Sequence, residues 1–384
     1  MEEWKIYRLG DLVDFQNGYA FKSSKFLYDG KYKIIRIKEL KNGLVKFFED
    51  TVSISDEPNE ILSKILVNKG DVIFALTGDP VSKQNANSWV GRVSLYTHDI
   101  PAYLNQRTCK IIQCNNVVPQ YVYYYFRQYE NLYSLASKAT GSASQANIST
   151  KILEDTEILL PSLSVQEKMV AILASLDNKI ALNRRINDNL EQQAQAMFKS
   201  WFVENASYSG VSISEYFLPN RGKNLLVSDA KGGITPVVAG GLTPSAFHNV
   251  ANTKAPVITI SASGANAGFV NLWGIPVWAA DSSYIDSTIV SNIYFWYNLL
   301  KYNQKNIYES QTGSAQPHIY PKHIGNLLIP DLDMRKVKCY ESIVTSMYLQ
   351  INEIQQETKL LTDLRDTLLP KLMSGELKIN DLNC

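Results

Sequence analysis

The sequence predicts an α+β protein in which two similar globular modules are separated by two long helices that pair as an antiparallel coiled coil. The first observation is a repeat: "ATGSASQANIST" at residues 139–150 returns as "QTGSAQPHIYPK" at residues 311–322. The second is that each copy leads into an aliphatic stretch that closes on a proline, Pro161 or Pro330. A long heptad pattern follows each proline, so the chain repeats the order of module and helix.

Residues 1–160 are predicted to form the first module, a compact mixture of strands, turns and one aromatic helix. The runs "KYKIIRIKEL", "GDVIFAL" and "CKIIQC" are rich in Ile and Val and are bounded by Gly, Asn or Asp, which is typical of strands. Residues 119–137, "PQYVYYYFRQYENLYSLAS", carry Tyr and Phe on more than one face of a predicted helix.

Residues 161–206 are predicted to form the central spacer helix. No Gly or Pro occurs between Ser164 and Glu204, and Ser164 with Glu167 fits a capping box at the start of the helix. Steps of four and three residues from Met169 to Trp201 give a seam that is apolar except at two Asn residues. The intervening seam positions are Leu173, Leu176, Ile180, Asn183, Asn187, Leu190, Ala194 and Met197.

The second half repeats this order. Residues 207–331 are predicted as the second module, and residues 291–310, "SNIYFWYNLLKYNQKNIYES", form the counterpart of the first aromatic helix. Residues 332–384 are predicted as the C-terminal spacer helix and tail, and Pro370 and Gly375 are predicted to end that helix. Its seam consists of Val337, Tyr340, Val344, Met347, Ile351, Ile354, Thr358 and Leu361. Because each long helix exposes an apolar seam, we expect the two helices to cover each other.

The composition limits the classes of protein that fit. The net charge is +1, so the chain does not have the excess of basic residues that is typical of many nucleic-acid-binding domains. Positive charge can still be concentrated on one face of the protein. The four cysteines, Cys109, Cys114, Cys339 and Cys384, form no C-x-x-C pair and are expected to be reduced thiols. The first residues do not resemble a signal peptide and no apolar run has membrane-spanning length, so we expect a cytoplasmic protein without membrane contact.

No catalytic constellation is visible in the sequence. It contains neither a phosphate-binding G-x-x-x-x-G-K-[ST] loop nor the Asn-Pro-Pro-aromatic tetrapeptide of adenine methyltransferases. His318 and His323 are five residues apart, which is not the i, i+4 spacing of helical metal ligands. We therefore predict a chain that is not an enzyme and that holds no metal.

Two similar modules at a fixed spacing suit a ligand with twofold symmetry, and double-stranded DNA is such a ligand. Residues that differ between the modules are the candidates for reading bases, because the modules are expected to read different bases. In the first module these candidates are Lys83, Gln84, Asn85, Asn87, Gln145 and Asn147, and in the second module they are Ser263, Asn266, Gln316 and His318. The shared residues Thr140, Ser142, Thr312 and Ser314, with the glycines between them, are either scaffold or phosphate contacts.

Three segments together resemble the specificity subunit of type I restriction–modification systems, over essentially the whole chain. They are "PSLSVQEKMVAILASLDNKIALNRRINDNLEQQAQAMFKSWF", "LRDTLLPKLMSGEL" and the doubled TGSA segments. The resemblance implies two target-recognition domains that each read one half of a bipartite DNA site. It also implies spacer helices that set the gap between the half-sites and dock two methyltransferase subunits, which motor-nuclease subunits join.

The same resemblance implies that catalysis belongs to the partners. They would methylate adenine N6 from S-adenosylmethionine and cut DNA with ATP and Mg²⁺, while this chain would bind no cofactor. One departure from the pattern is that "PDLDMRK" opens the second long helix without the Gln-Glu pair of "PSLSVQEK". The sequence therefore does not define where that helix begins.

The role of two sets of residues in the central spacer helix has two interpretations each. Asn183 and Asn187 either fix the register of the coil or face a methyltransferase helix. Phe198, Trp201 and Phe202 either pack against the second module or contact the methyltransferase. The alternative to a DNA-recognition subunit is a coiled-coil adaptor that holds two protein- or glycan-binding modules, which the nearly neutral charge fits equally well.

Overall fold

The structure is a computed structural model that describes residues 4–142, 144–204, 206–313 and 316–379. The chain divides into two compact units: a first unit of Met1–Asn178 with Thr362–Cys384, and a second unit of Lys179–Leu361. Each unit has its own hydrophobic core. The predicted α+β class with two long helices is confirmed, because both units mix strands with short helices and two helices of 40 residues each are present.

The first unit contains fifteen short strands among its described residues. In chain order they are β1 (Lys5–Arg8), β2 (Val13–Asn17), β3 (Tyr32–Ile35), β4 (Leu40–Lys41), β5 (Leu44–Val45), β6 (Ser53–Ile54), β7 (Leu66–Val67), β8 (Val72–Ala75), β9 (Thr77–Gly78), β10 (Val93–Leu95), β11 (Ala102–Leu104), β12 (Thr108–Cys114), β13 (Thr140–Ser142), β14 (Gln145–Asn147) and β15 (Glu157–Leu160). The helices are α1 (Glu60–Lys64), α2 (Pro119–Arg127), α3 (Tyr129–Ala136), α4 (Thr150–Glu154) and the long α5 (Leu163–Phe202).

The strand order shows how the first unit is built around β8. The six-stranded sheet has the order β2-β12-β8-β10-β5-β4, and every residue of β8 is buried. A second sheet, β6-β3-β11-β7, encloses a separate core that includes Ile34 and Tyr103. Strands β1 and β15 pair antiparallel from Lys5 opposite Leu160 to Arg8 opposite Glu157, which joins the two ends of the first module just before α5.

The second unit repeats this mixture with fewer strands. They are β16 (Asn220–Arg221), β17 (Thr235–Val238), β18 (Ala246–His248), β19 (Val257–Ser261), β20 (Val270–Trp273), β21 (Trp278–Ala279) and β22 (Ser282–Asp286). The helices are α6 (Ile293–Tyr302), α7 (Gln304–Glu309), α8 (Pro321–Gly325) and the long α9 (Met334–Met373). The main sheet has the order β16-β22-β19-β20, and β19, like β8, is buried along its whole length.

The single aromatic helix predicted for each module is wrong, because each is broken into two. In the first module the break is at Gln128, whose backbone is extended, and the Asn131 side chain donates to the Tyr125 carbonyl at 3.0 Å. In the second module the break is at Asn303, whose Nδ2 donates to the Leu299 carbonyl at 2.9 Å. A side-chain amide thus donates a hydrogen bond to a backbone carbonyl near each break. Such hydrogen bonds compete with those of the helix backbone.

The start of α5 also differs from the prediction. The helix begins at Leu163, and the amide nitrogens of Val165 and Gln166 both donate to the Ser162 carbonyl at 3.0 Å. Ser164 therefore lies inside the first turn, and the capping box predicted from Ser164 and Glu167 is wrong. Gln166 has the anchoring role instead. Its side chain is buried, accepts from the Val118 amide at 3.0 Å and donates to the Asn116 and Pro161 carbonyls.

Replacing Gln166 by Ala is expected to lower the free energy of unfolding by about 1–3 kcal/mol, because buried backbone groups would lose their partners. Glu167→Ala is the matched control, because Glu167 is exposed in the same turn. Equilibrium denaturation in urea measures both. An equal loss in the two variants would contradict the anchoring role of Gln166.

Helix α9 runs from Met334 to Met373, which is further than its sequence predicts. It begins at Met334, and the Asp333 carboxylate accepts from the Arg335 amide at 2.9 Å, which satisfies a free donor of the first turn. The helix continues through Pro370 to Met373, so the predicted end at Pro370 is wrong. Leu369, Leu372 and Met373 are buried in the core of the first unit. Burial of this face outweighs the hydrogen bond that a proline removes.

Segments of α5 and α9 run antiparallel inside each unit. In the second unit the Tyr340 hydroxyl donates to the Ala194 carbonyl at 2.9 Å, and Asn183 Nδ2 donates to Glu357 Oε2 at 2.7 Å. In the first unit Asp177 pairs with Arg365 at 2.8 Å. Every predicted seam residue of both helices is buried or half-buried, because the 3.5-residue period keeps these positions on one side.

Candidate nucleic-acid interface

In the first module, Thr140–Ser142 of the TGSA segment forms one strand of a hairpin that pairs with β9, directly after the buried strand β8. Strand β13 pairs with β14, and β14 pairs with β9, so that Asn147 lies opposite both Thr140 and Thr77. The Thr77 hydroxyl donates to Asn147 Oδ1 at 2.8 Å. We call this set of segments, Thr77–Gly78, Thr140–Ser142 and Gln145–Asn147, the first hairpin frame. It joins Gln145 and Asn147 to the start of the loop that carries the other predicted base-reading residues of this module.

The second module has the same frame. Thr312 and His318 exchange backbone hydrogen bonds of 3.0 and 2.8 Å, and His318 also bridges to Ser263. The next residue, Ile319, donates to the Ala262 carbonyl at 2.9 Å, as Ile148 donates to the Leu76 carbonyl at 3.0 Å in the first module. We call Ser263, Thr312 and His318 the second hairpin frame. Ser314, predicted to be either scaffold or a phosphate contact, lies outside the described residues.

The repeated glycine of each TGSA segment is required by the backbone. Gly141 has φ +136° and Gly313 has φ +96°, a region that side chains rarely adopt. A Cβ atom on Gly141 would lie 2.4 Å from the Gln145 carbonyl oxygen, and one on Gly313 would lie 2.5 Å from the Gln316 carbonyl oxygen. This close approach favours the scaffold interpretation for the two glycines. The neighbouring residues Thr140, Ser142 and Thr312 are exposed.

Residues 79–90 form a long loop of the first module, which is fixed at its base and exposed at its tip. Asp79 N donates to the Ser88 carbonyl and Val90 N donates to the Asp79 carbonyl, which closes the loop. Trp89, only 1% exposed, donates from its indole nitrogen to the Lys83 carbonyl at 2.6 Å. The predicted base-reading residues of this loop share an exposed position at its tip: Lys83, Gln84, Asn85 and Asn87.

Asn85 has a local partner that the sequence did not reveal. Its side-chain oxygen accepts from the Asn87 amide at 3.1 Å and so caps a short turn, Ala86–Ser88. Among the described residues, no acceptor is recorded for the Asn85 side-chain nitrogen, Nδ2. In the second module the corresponding loop is short, and the Asn266 carbonyl accepts from the Phe269 amide at 2.9 Å.

A basic cleft adjoins the first hairpin frame. Its volume is about 430 Å³, and Lys38, Lys41 and Arg92 line it together with a single acidic residue, Asp79. The remaining lining residues are Ile37, Thr77, Gly78, Ser88, Ser144 and Gln145. These three cations were not among the predicted residues, although the closely spaced basic residues of "RIKELKNG" indicate a basic strip. Lys38 is paired with Asp50 and Glu39, and Lys41 adds further positive charge beside the frame, where a phosphate backbone would approach.

Arg92 holds the wall of this cleft in place. It is 9% exposed, and its guanidinium donates to the carbonyl oxygens of Ile37, Leu40, Ser88 and Trp89 at 2.6 to 3.2 Å. Burial lowers the pKa of Arg92, and nearby Asp79 opposes that shift. Arg92 therefore ties the long loop to the turn that carries Lys38.

The candidate residues of the central helix are placed as follows. Phe198 and Phe202 are buried in the core of the second unit, where their rings contact Phe295 and Tyr340. They are thus inaccessible to a partner, so the methyltransferase interpretation is wrong for these two residues. Trp201 is half-buried against Tyr340. The Asn183–Glu357 hydrogen bond supports the register interpretation for Asn183, and Asn187 lies half-buried on the same seam.

The described part of the chain shows neither a metal-binding cluster nor a membrane-spanning helix. No group of three or more His, Cys, Asp or Glu residues there is arranged to hold a metal ion. No helix within the described ranges combines the length and the apolar character that crossing a membrane requires. Cys109, Cys114 and Cys339 are free thiols, and Cys384 lies outside the described residues.

Comparison with known proteins identifies the family. The model of the type I restriction modification DNA specificity domain matches residues 1–192, which is half of the chain. The type I restriction enzyme MjaIX specificity subunit of Methanocaldococcus jannaschii is 24% identical over 429 residues, covering 99% of this chain and 95% of its own length. The HindI specificity subunit of Haemophilus influenzae is 28% identical over 212 residues, covering 53% of this chain and 42% of its own length.

A solved structure supports the fold. The crystal structure of a type I restriction-modification system S subunit from M. genitalium has a TM-score of 0.64 at 21% sequence identity, covering 97% of this chain and 96% of the other. The likeness at this identity concerns the fold. The resemblance inferred from the sequence motifs is confirmed, and this chain belongs to the family of the type I restriction modification DNA specificity domain.

Proposed function

We propose that this chain is the DNA sequence-recognition subunit of a type I restriction–modification complex and that each module reads one half of a bipartite site on double-stranded DNA. The observation that carries the proposal is that both modules build the same backbone frame and differ in the side chains that the frame presents. The first frame presents Asn147 where the second presents His318. A shared scaffold with different polar side chains is what two independent readers of base edges require.

The proposal assigns the chemistry to partner subunits. Two methyltransferase subunits would dock on α5 and α9 and methylate adenine N6 from S-adenosylmethionine, and motor-nuclease subunits would use ATP and Mg²⁺. Exposed apolar residues on the long helices support docking of this kind, since Leu182 is 49% exposed and Leu360 is 70% exposed. The helices would also set the gap between the half-sites.

The direct test is to assemble the chain with a cognate methyltransferase partner and to sequence the methylated DNA by a single-molecule method. The expected result is methylated adenines confined to one bipartite motif with a constant gap. Methylation that is independent of sequence, or no assembly with any such partner, would contradict the proposal.

Asn85→Ala and Lys83→Ala are expected to behave differently in this assay. Asn85 is assigned to a base edge, so its loss should cost about 1–3 kcal/mol and relax the preference at one position of the first half-site. Lys83 is assigned to a phosphate, so its loss should weaken binding to every sequence alike and reduce the salt slope by about one. Binding to the cognate site and to every single-base variant of the first half-site measures both effects.

The control for Asn85 is Asn85→Asp. An aspartate keeps an oxygen that accepts from the Asn87 amide and so keeps the turn, while it removes the amide donor. A changed base preference in both Asn85 variants supports a base contact. If Asn85→Ala leaves the base preference intact, the assignment of Asn85 fails, whatever happens to overall affinity.

A further inference from the structure

The correspondence between the two modules extends beyond the hairpin frames to the strands beside them. Leu76 N donates to the Arg107 carbonyl at 2.9 Å, and Ala262 N donates to the Asp281 carbonyl at 3.1 Å. Two further equivalent bonds join Gly18 N to the Thr108 carbonyl at 2.9 Å and Gly222 N to the Ser282 carbonyl at 2.8 Å.

These four bonds align the two modules residue by residue. Asp281 therefore occupies the position of Arg107, and Arg221 occupies the position of Asn17.

The side chains at these aligned positions form an ordered group in the second module. Arg221 Nη2 donates to Asp281 Oδ1 at 2.8 Å, and Asp281 Oδ2 accepts from the Ser263 hydroxyl. Ser263 belongs to the second hairpin frame. The Asp281 carboxylate thus fixes the Arg221 guanidinium to the frame, while the Arg221 side chain stays 43% exposed. Within the described ranges, Asp281 is the one hydrogen-bonding partner of that side chain.

The first module carries different chemistry at the same two positions. Arg107 replaces the acidic residue and Asn17 replaces the basic one, and both are exposed. Neither side chain makes a hydrogen bond or an ion pair with the rest of the described chain. The charge at one aligned position is therefore reversed between the modules while the backbone around it is kept. Such a position is suited to setting which base each module reads.

We propose that Arg221 determines specificity in the second module by reading a guanine in the major groove, and that Asp281 is a positioning residue that orients it. The proposal rests on the proposed function and names a residue of the second reading site. The guanidinium fork matches the O6 and N7 acceptors of guanine. A side chain that is already held by a carboxylate loses less conformational entropy on binding.

A phosphate contact by Arg221 fits the arrangement less well. The Asp281 carboxylate lies 2.8 Å from the guanidinium and would repel a phosphate that approached it. A base edge carries no net charge, so it meets no such repulsion. An exposed ion pair with no role in binding is the remaining outcome, and such pairs typically contribute little to stability.

The test uses the chain assembled with its methyltransferase partner and compares the wild type with Arg221→Ala and Arg221→Lys. Both variants should lower the preference for guanine at one position of the second half-site about 5- to 150-fold, because the lysine ammonium lacks the fork. The first half-site should be read unchanged. Replacing that guanine by 7-deazaguanine should weaken wild-type binding and leave Arg221→Ala binding unaffected, because the N7 acceptor then has no partner to lose.

Two further variants complete the design. Asp281→Asn should lower the guanine preference less than Arg221→Ala, because the fork remains but is less constrained. Lys305→Ala removes an exposed i, i+4 ion pair with Glu309 elsewhere in the second module and should change nothing. Thermal unfolding should be the same for wild type and the Arg221 variants, since this side chain is 43% exposed.

The outcomes separate the two proposals. If the wild-type complex methylates a bipartite motif and both Arg221 variants keep the same base preference, the assignment of Arg221 is overturned. An equal loss of affinity for every sequence would assign Arg221 to a phosphate and would also overturn it. If the wild-type complex shows no sequence preference, the proposed function itself fails and the assignment fails with it.

Discussion

Exchanging residues 9–156 for the corresponding residues of a relative is expected to change the first half of the methylated motif and to leave the second half intact. The expectation follows from the two separate hairpin frames, each built from one module. The exchange boundary follows from the structure. Leu9 N donates to the Thr156 carbonyl at 2.9 Å, so both junctions lie side by side next to the β1–β15 pair.

Exchanging residues 1–150 instead would be a poorer choice. It would place β1 and β15 in different parental sequences and so divide a strand pair that runs from Lys5–Leu160 to Arg8–Glu157. The control is the unexchanged chain assembled with the same methyltransferase. Single-molecule sequencing of the methylated DNA reads both halves at once. A change in the second half would show that the modules do not read independently.

Inserting four residues after Asn187 of α5, with four matching residues after Gln350 of α9, is expected to lengthen the gap between half-sites by one to two base pairs. Four helical residues add about 6 Å and slightly more than one turn, and each base pair rises about 3.4 Å. The site lies between seam residues of the first core, such as Leu173, and those of the second core, such as Ala194.

The matching insertion is needed because α5 and α9 pair inside the second unit. An insertion in α5 alone would shift the register on one side of the new residues, between the Asn183–Glu357 contact and the Tyr340–Ala194 contact. We therefore expect the single insertion to destabilise the chain and the double insertion to keep it folded. An unchanged gap with full methylation activity in the double variant would rule out the long helices as the element that sets the spacing.

Periodic features of this chain could be predicted from the sequence, because period and burial are directly linked. The seam from Met169 to Trp201 is buried or half-buried at every position, since a 3.5-residue repeat places these residues on one side of a helix. The location of the frames followed from the repeat itself. Two other features could not be predicted from local sequence signals. The helix break at Gln128 is accompanied by a hydrogen bond from the Asn131 side chain to the Tyr125 carbonyl. Helix α9 continues through Pro370 because its last residues are buried in the core of the first unit.

The chemistry of the candidate interface was less accessible from the sequence. Arg92 and Arg221 are ordinary residues in the sequence, and they acquire roles only from partners far along the chain. The carbonyl groups that hold Arg92 include that of Ile37, and the carboxylate that holds Arg221 is 60 residues away. Residue type and a loop that differs between the modules predict a base contact for Asn85, and the structure shows that its side-chain oxygen also caps a local turn. Such contacts depend on the tertiary structure, and they cannot be predicted from residue type and spacing in the sequence.

The central claim is that each module, through its hairpin frame and the exposed residues beside that frame, faces its own half of the DNA site. Site-specific photo-crosslinking tests it most directly, with a photoreactive phenylalanine analogue placed at Gln84 in one preparation and at Gln316 in another, both exposed positions. Each serves as the control for the other in the complex with the methyltransferase and cognate DNA. We predict crosslinks from position 84 to bases of the first half-site only, and from position 316 to bases of the second half-site only. Crosslinks from both positions to the same half-site, or from neither position in a complex that binds the site specifically, would contradict the claim.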